Sequence, residues 1–316
     1  MHYVLFGGSG QIGALLARAW SARGDQVTVV SRKKPAGPWN WVAWDGVTPG
    51  LWQSALEGAD VVVNLAGRSV DCRYNAKNRA GILNSRVDST RAIGKAIAAC
   101  PNPPKLWLQS STATIYSDRR DAPNDEFTGM LGGGESSAPK SWAFSIKVAK
   151  AWEDALAEES LSATRRVVLR SAMVMSPDRG GVFSVLLRLV RYGLGGTMGD
   201  GGQYVSWIHD RDFVRAVDFL IKSEHIRGPV NLASPLPLPN ARFMSALRAA
   251  WGQKIGLPAT SWMLEIGAVF LRTETELILK SRRVIPGILL KEGFVFQYPE
   301  WEKAAADLCD RWRQCP

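Results

Sequence analysis

The chain has 316 residues, 46% of them apolar and 22% charged, proportions ordinary for a soluble globular protein that argue against a disordered chain and suit one large core with a smaller annex. Its net charge is +10, yet Lys and Arg are dispersed rather than gathered in one run, so anionic small ligands are expected as partners and nucleic acid is not. Cys72, Cys100, Cys309 and Cys315 show no Cys-x-x-Cys spacing and the three histidines are scattered, which argues against a zinc site and fits a reducing, cytoplasmic interior.

No positively charged start precedes an apolar run at the amino terminus, so no signal peptide is expected. YVLF (3–6) reads as a short strand ending in glycines, followed by Ile12, Leu15, Leu16 and Ala19 at helical spacing and then by the strand VTVV (27–30). After a tryptophan-rich stretch, WNWVAW (39–44), the run VVVNLAG (61–67) has the continuous apolar character of a strand buried on both faces. Ile82, Val87, Thr90, Ile93 and Ile97 mark a long helix, and LWL (106–108) marks another strand. This alternation predicts an α/β fold, a Rossmann-like doubly wound parallel sheet.

The polar, glycine-rich stretch 118–140 predicts a lid or binding loop, with disorder as the alternative. A helix over 142–159 and the strand VVLR (167–170) resume the alternation. From Arg179 onward helical patterns dominate, punctuated by Pro229, Pro235, Pro237 and Pro239. The expected organisation is a dinucleotide-binding half over 1–175 and a smaller, mainly helical substrate-side half over 176–316, with a return to the first half near 205–235. SWMLEIGAVFL (261–271) is too short for a bilayer span and carries Glu265, so it predicts an amphipathic helix and no membrane association.

GGSGQIG (7–13) directly follows the first strand and opens a helix, the context in which a glycine motif is informative. Gly8, Gly10 and Gly13 satisfy G-x-G-x-x-G; Gly7, Gly10 and Gly13 satisfy the looser G-x-x-G-x-x-G. Glycine allows the tight turn and the close approach of backbone N–H groups to a pyrophosphate, so Gly7, Gly8, Gly10, Gln11, Ile12 and Gly13 form the candidate cofactor loop. An NAD site usually carries an acidic residue at the end of the second strand for the ribose 2'-OH. Here that strand runs into Ser31, Arg32, Lys33 and Lys34, with no carboxylate before Asp45, and an arginine with a serine hydroxyl suits a 2'-phosphate. NADP is therefore the expected cofactor. Asn64, Leu65, Ala66 and Gly67 end the strand read at 61–67, where small residues let a cofactor lie against the backbone or simply make a tight strand exit.

Three stretches go beyond these general signals. SSTATIYSD (110–118), LRSAMVMSP (169–177) and SWIHDRD (206–212) resemble the strand-end and substrate-side segments of the extended short-chain dehydrogenase/reductases, the superfamily of nucleotide-sugar epimerases. With SRVDSTRAI (85–93), GLGGTMGDGGQYVSWIH (193–209) and SRRVIPGILLKEGFVFQYP (281–299), nearly the full length is similar to one atypical branch, the epimerase-like proteins that carry a C-terminal domain of unknown function. The resemblance implies an NADP-binding epimerase-like or oxidoreductase-like protein with a small polar or sugar-nucleotide-like substrate, and a homodimer by default.

It also implies an active site made of a Ser or Thr and a Tyr-x-x-x-Lys pair on one helix face. Alignment to the superfamily puts Thr112 at the hydroxyl position, Lys147 at the lysine position and Ala143 where the tyrosine stands. An alanine transfers no proton, so the set is incomplete; a water or His209 stands as the substitute, while Tyr116 matches a non-catalytic position. Lys147 has two readings, a hand for the nicotinamide ribose or a solvated helix lysine. The resemblance further implies an adenine contact for Asp45, which as a sequence feature equally reads as a turn residue before Gly46. His209 reads as a packed, hydrogen-bonded side chain beside a helix start at Asp210 and Asp212, and Trp39, Trp41 and Trp44 as packing residues. The alternative function is a non-catalytic NADP(H)-binding sensor or scaffold, which the missing tyrosine favours.

Overall fold

The computed structural model describes residues 1–135, 139, 142–260 and 276–314. The helix expected at 261–271 and Cys315 lie outside them. Six strands come from the first 171 residues: β1 (His2–Phe6), β2 (Gln26–Ser31), β3 (Asn40–Ala43), β4 (Val61–Asn64), β5 (Leu106–Thr112) and β6 (Arg165–Ser171). They are followed by β7 (Met173–Met175), β8 (Tyr204–Val205), β9 (Trp207–His209), β10 (Gly228–Leu232) and β11 (Leu238–Pro239). Seven of these form one parallel sheet in the order β10-β6-β5-β4-β1-β2-β3. The chain leaves β1 toward β2 and β3, then crosses back to β4 on β1's other side. That reversal opens a crevice at the carboxyl ends of β1 and β4, where ligands of open α/β sheets bind.

The helices are α1 (Gln11–Ser21), α2 (Ala76–Ala98), α3 (Ala143–Ala157), α4 (Val182–Arg191), α5 (Asp210–Lys222), α6 (Asn240–Trp251), α7 (Glu276–Leu279), α8 (Gly287–Lys291) and α9 (Trp301–Gln314). Because side chains alternate across a strand, β1 sends Tyr3 and Leu5 to one face and Val4 and Phe6 to the other. Tyr3 and Leu5 share a core with Leu16 and Trp20 of α1 and with Phe213 and Leu220 of α5. Val4 and Phe6 share one with Ile93 and Ile97 of α2 and Leu156 of α3. The sheet thus has helices on both faces, and it draws on residues as late as 232 to complete its edge.

A second core joins α4, α6 and α9 through Phe183, Leu187, Phe243, Leu247, Trp301 and Leu308. Trp301 stacks on Phe243 with ring centroids 4.0 Å apart. The mainly helical region beyond the sheet is built on this core.

The described part of the 118–140 stretch is laced to the C-terminal region. Asn124 donates its backbone N–H to the Arg283 carbonyl at 2.7 Å and accepts from Ile285 N at 3.0 Å, while the Asp118 carboxylate takes the Ser281 N–H at 2.7 Å. Glu126 accepts from Asn231 N at 2.7 Å and from Ile288 N at 3.2 Å. In these residues the predicted lid has the hydrogen bonding of a strap.

Candidate active site

The glycine loop uses its glycines for different reasons. Gly7 has φ 71°, a left-handed conformation, and a Cβ on it would come within 2.7 Å of Ala66 N, so the exits of β1 and β4 abut. A Cβ on Gly13 would collide with the Gly8 backbone, so α1 presses directly on the loop. Gly10 differs, with an ordinary φ of −79° and no heavy atom closer than 3.7 Å to where its Cβ would lie. The fold makes no demand for glycine there, and the bare position leaves space for a ligand at the α1 N-terminus. That helix start has no side-chain cap and no acidic residue in its first turn, so its amide dipoles are available to an anion. Gln11 lies against Gly181, and its buried Nε2 has no hydrogen-bond partner. Arg18 pairs with Asp178, holding the segment before α4 over α1.

At the end of β2, Ser31 is turned inward. Its hydroxyl donates to the Lys33 carbonyl at 2.8 Å and accepts from Trp41 Nε1 at 3.3 Å, so its single proton is spent within the protein. Arg32 is exposed, has no ion pair or hydrogen bond among the described residues, and lines an open hollow of about 400 Å³ with Trp44, Asp45, Thr48 and Leu51. Lys33 is exposed beside it. Asp45 is occupied by its own turn: its carboxylate accepts from Val47 N, Thr48 N and Thr48 Oγ1 at 2.8, 2.8 and 2.6 Å. The Thr48 hydroxyl and those amides hold its carboxyl down to about 2. At the exit of β4, the buried Asn64 caps Ala66 N at 2.9 Å and donates to Gln109 Oε1 at 3.1 Å, which fixes Leu65, Ala66 and Gly67 beside the glycine loop.

Thr112 ends β5. Its Oγ1 accepts from Thr114 N at 3.1 Å, and its own proton has no acceptor among the described residues. A 3-10 turn, Ala113–Ile115, follows and packs against the fully buried Ala149 of α3. The α3 face turned to this part of the sheet carries Ser145, Ala149 and Glu153. Ser145 Oγ donates to Glu276 Oε2 at 2.6 Å, and Glu153 accepts from Ser111 Oγ at 2.6 Å and from Arg170 Nη2 at 2.7 Å.

Lys147 lies two residues from both Ser145 and Ala149, about 160° around the helix, and is exposed. With Ala143 it lines a hollow shared with Arg79, Leu83 and Phe144, between α2 and α3. The structure therefore does not bring Lys147 to Thr112. The α3 residue packed against the Thr112 turn is Ala149, while Ala143 and Lys147 are exposed.

The other expected donors are enclosed. Tyr116 is 2% exposed; its hydroxyl donates to Asn231 Oδ1 and accepts from Arg170 Nη1, both at 3.0 Å. His209 is 0% exposed, accepts from Arg211 N at 3.2 Å, meets Asp307 at 3.0 Å and stacks on Tyr298 at 3.9 Å. Burial lowers its pKa despite Asp210 and Asp307, so the ring is a neutral tie between α5 and α9. Asp212 accepts from Gln297 N and Tyr298 N at 2.8 and 2.7 Å, anchoring the C-terminal region.

Two cations absent from the expected site stand at the Thr112 turn. Lys280 is 2% exposed, and its Nζ donates to the Thr114 carbonyl at 2.9 Å. Burial, helped by neighbouring Arg282 and opposed by Glu276, Glu135 and Asp118, brings it down to about 8. Arg282 donates from Nε to Thr114 Oγ1 at 3.1 Å and from Nη2 to the Glu276 carbonyl at 3.2 Å. The tail motif SRRVIPG (281–287) is visible in the sequence, but no local signal docks its Arg282 on Thr114, 168 residues upstream.

The model of the NAD dependent epimerase/dehydratase family matches residues 3–233, the whole span of this sheet and crevice. The chain belongs to that family. A second model, a domain of unknown function (DUF1731), matches residues 259–308. Within this family, the human epimerase family protein SDR39U1 is 32% identical over 311 residues, covering 98% of this chain and 99% of its own. The crystal structure of human SDR39U1 with NADPH superposes with a TM-score of 0.85 at 31% identity, over 98% of this chain and 99% of that one. A nucleoside-diphosphate sugar epimerase from Corynebacterium glutamicum gives 0.75 at 26% identity, over 98% of this chain and 58% of that one. In this chain the glycine loop and the Thr112 strand end lie within the matched span, and Ala149 of α3 packs against the turn that follows Thr112. The DUF1731 region supplies Glu276, Lys280 and Arg282 around the same turn.

Proposed function

We propose that the chain binds NADP(H) and acts as an epimerase-like or oxidoreductase-like protein on a small polar or sugar-nucleotide-like substrate, held between the sheet's carboxyl edge and the C-terminal region. The observation that carries this reading is the end of β2, where an exposed Arg32 with no ion pair among the described residues borders a hollow, and the Asp45 carboxylate in that hollow is committed to its own turn with Val47 and Thr48. The human relative solved with NADPH supports it. Gly7, Gly8, Gly10, Gln11, Ile12 and Gly13 present backbone amides to the diphosphate, with Leu65, Ala66 and Gly67 as the wall beside it. Bound NADPH supplies the hydride. Thr112, with an uncommitted hydroxyl proton, orients the substrate oxygen, and Lys280 and Arg282 fix the turn that carries it.

Cofactor titration by tryptophan fluorescence tests the reading: NADPH binds at least tenfold more tightly than NADH, and equal or reversed affinities overturn the preference for the phosphorylated form. Absence of binding by both at millimolar concentration overturns the function itself.

A second reading, an NADP(H)-occupied sensor or scaffold without turnover, is favoured by the lack of a proton donor on α3: Ser145 is committed to Glu276, and Ala149 is apolar. Substrate-dependent loss of nicotinamide absorbance across a panel of carbonyl compounds and sugar nucleotides supports the enzyme. Cofactor-dependent affinity for a protein partner, with no absorbance change, supports the sensor. Cys72, Cys100 and Cys309 are free thiols, in keeping with the proposed cytoplasmic setting, and no helix of the described residues is long and apolar enough to cross a membrane.

A further inference from the structure

Helix α4 carries more apolar surface than the fold uses. Phe183, Leu187 and Val190 enter the second core. A separate stripe, Val182, Val185, Leu189 and Tyr192, repeats at helical spacing on another face. Val182, Val185 and Tyr192 of that stripe are exposed, Tyr192 at 75%. The chain then turns at Gly193, which has φ 74°, and is laced to 255–257. Leu257 N donates to the Gly193 carbonyl at 2.8 Å, and Gly196 N donates to the Leu257 carbonyl at 3.2 Å. The lacing sets Leu194, Ile255 and Leu257 beside Tyr192 in one exposed tip, with Ile255 at 62%. Contiguous apolar surface left in water marks a place of contact.

The charge around this tip has one sign. Residues 182–196 and 248–258 contain Arg188, Arg191, Arg248 and Lys254 and no Asp or Glu. Arg188, Arg191 and Lys254 are exposed, and no ion pair engages them among the described residues. Arg191 lies over the Trp251 ring at 5.7 Å, which holds its charge at the margin of the tip, while Arg313 on the same ring is spent on Asp310. A second copy packed tip to tip would set these cations against their own kind, because a two-fold contact brings the same patch from both sides. A sheet of anionic lipid headgroups meets both features at once, taking apolar side chains below the phosphates and cations at them. Tyr192 suits that boundary, with an apolar ring and a polar end.

We propose that the tip formed by the end of α4 and residues 254–257 docks on an anionic membrane surface. Tyr192, Leu194, Ile255 and Leu257 enter the headgroup boundary, and Arg188, Arg191 and Lys254 meet the lipid phosphates. The sequence argued against membrane association for want of a spanning segment, and this contact needs none: no helix of the described residues is long and apolar enough to cross a bilayer.

The test sediments the full chain with vesicles of phosphatidylcholine alone and with vesicles that also contain phosphatidylglycerol. Binding is to the second kind and weakens as salt rises. Each surface cation is worth about fivefold in partition, so Arg191→Gln with Lys254→Gln lowers it about tenfold or more. Leu194→Ser with Ile255→Ser lowers it about tenfold. NADPH affinity stays within twofold in both variants, so this inference and the cofactor reading stand or fall separately. Failure of the wild type to bind phosphatidylglycerol vesicles overturns the inference, as does equal binding to both kinds or undiminished binding by either variant. A lipid-free dimer that Leu194→Ser with Ile255→Ser dissolves, read by light scattering, assigns the tip to a second copy and overturns it as well. Should a variant fail to fold, amide hydrogen exchange of the wild type decides. Slowing at 189–194 and 253–257 on phosphatidylglycerol vesicles supports the contact, and unchanged rates there overturn it.

Discussion

The crevice has two ends, and they are built by different means. The end under α1 is made almost entirely of backbone: Gly7 against Ala66, Gly13 against Gly8, and an uncapped helix start. The end at Thr112 is made of side chains brought from three distant stretches, with Ser145 tied to Glu276 and with Lys280 and Arg282 tied to Thr114. The backbone site is encoded mainly in the seven residues 7–13, with Ala66 as its distant wall. A side-chain site depends on how helices and the C-terminal region dock, which is why two cations from residues 280–282 stand at the Thr112 turn.

The widest separation between the two ends is expected from the glycines. Gly13→Val forces a branched side chain into the Gly8 backbone and costs about 3 kcal/mol or more, read as a fall in the urea midpoint. Gly10→Val, whose Cβ meets no protein atom within 3.7 Å, changes stability by about 1 kcal/mol or less yet abolishes NADPH binding. Unaltered cofactor affinity in that variant would mean that the space at Gly10 is not a ligand's.

Lys280 gives the next largest effect. Its folded pKa, about 8, lies below the ordinary 10.5, so between these values the unfolded chain binds the proton and the folded chain does not. Folding therefore becomes more favourable as pH rises through that window. Relative to Lys280→Met, the wild type gains about 3 kcal/mol between pH 8 and 10.5. Parallel stability curves for the two proteins would show that the ammonium is better solvated than its burial implies.

Arg32→Glu is expected to weaken NADPH about tenfold to a hundredfold while leaving NADH within threefold, since one charge-assisted pair is removed and a like charge introduced. An equal loss for both cofactors would move the phosphate site away from β2. The smallest effect belongs to Lys147→Ala: stability within about 0.5 kcal/mol and NADPH affinity within twofold, because its side chain projects from the outward face of α3. A tenfold loss would restore Lys147 to the cofactor.

The sheet was legible because strand–helix alternation and the apolar run at 61–67 are local signals, and the crevice followed from the glycines at its mouth. The site beyond it was legible only in part. Thr112 stands at a strand end, where residue type and position agree. Lys147 satisfies a sequence spacing, but only packing decides which face of α3 meets the sheet, and the buried Ala149 carries no chemical signal of its own. Ser31 looked available for a phosphate until Trp41 and Lys33 took its hydrogen bonds.

The lacing of 118–126 to 281–288 has a consequence for how the molecule comes into being. Its hydrogen bonds join stretches more than 150 residues apart, and the bond from Lys280 to Thr114 spans 166. During synthesis the nucleotide-facing turn and its flanking strands can assemble early, but the floor under Thr114 must wait until nearly nine-tenths of the chain has emerged. A nascent polypeptide would then gain the ability to hold a dinucleotide before it gains a finished place for anything to react.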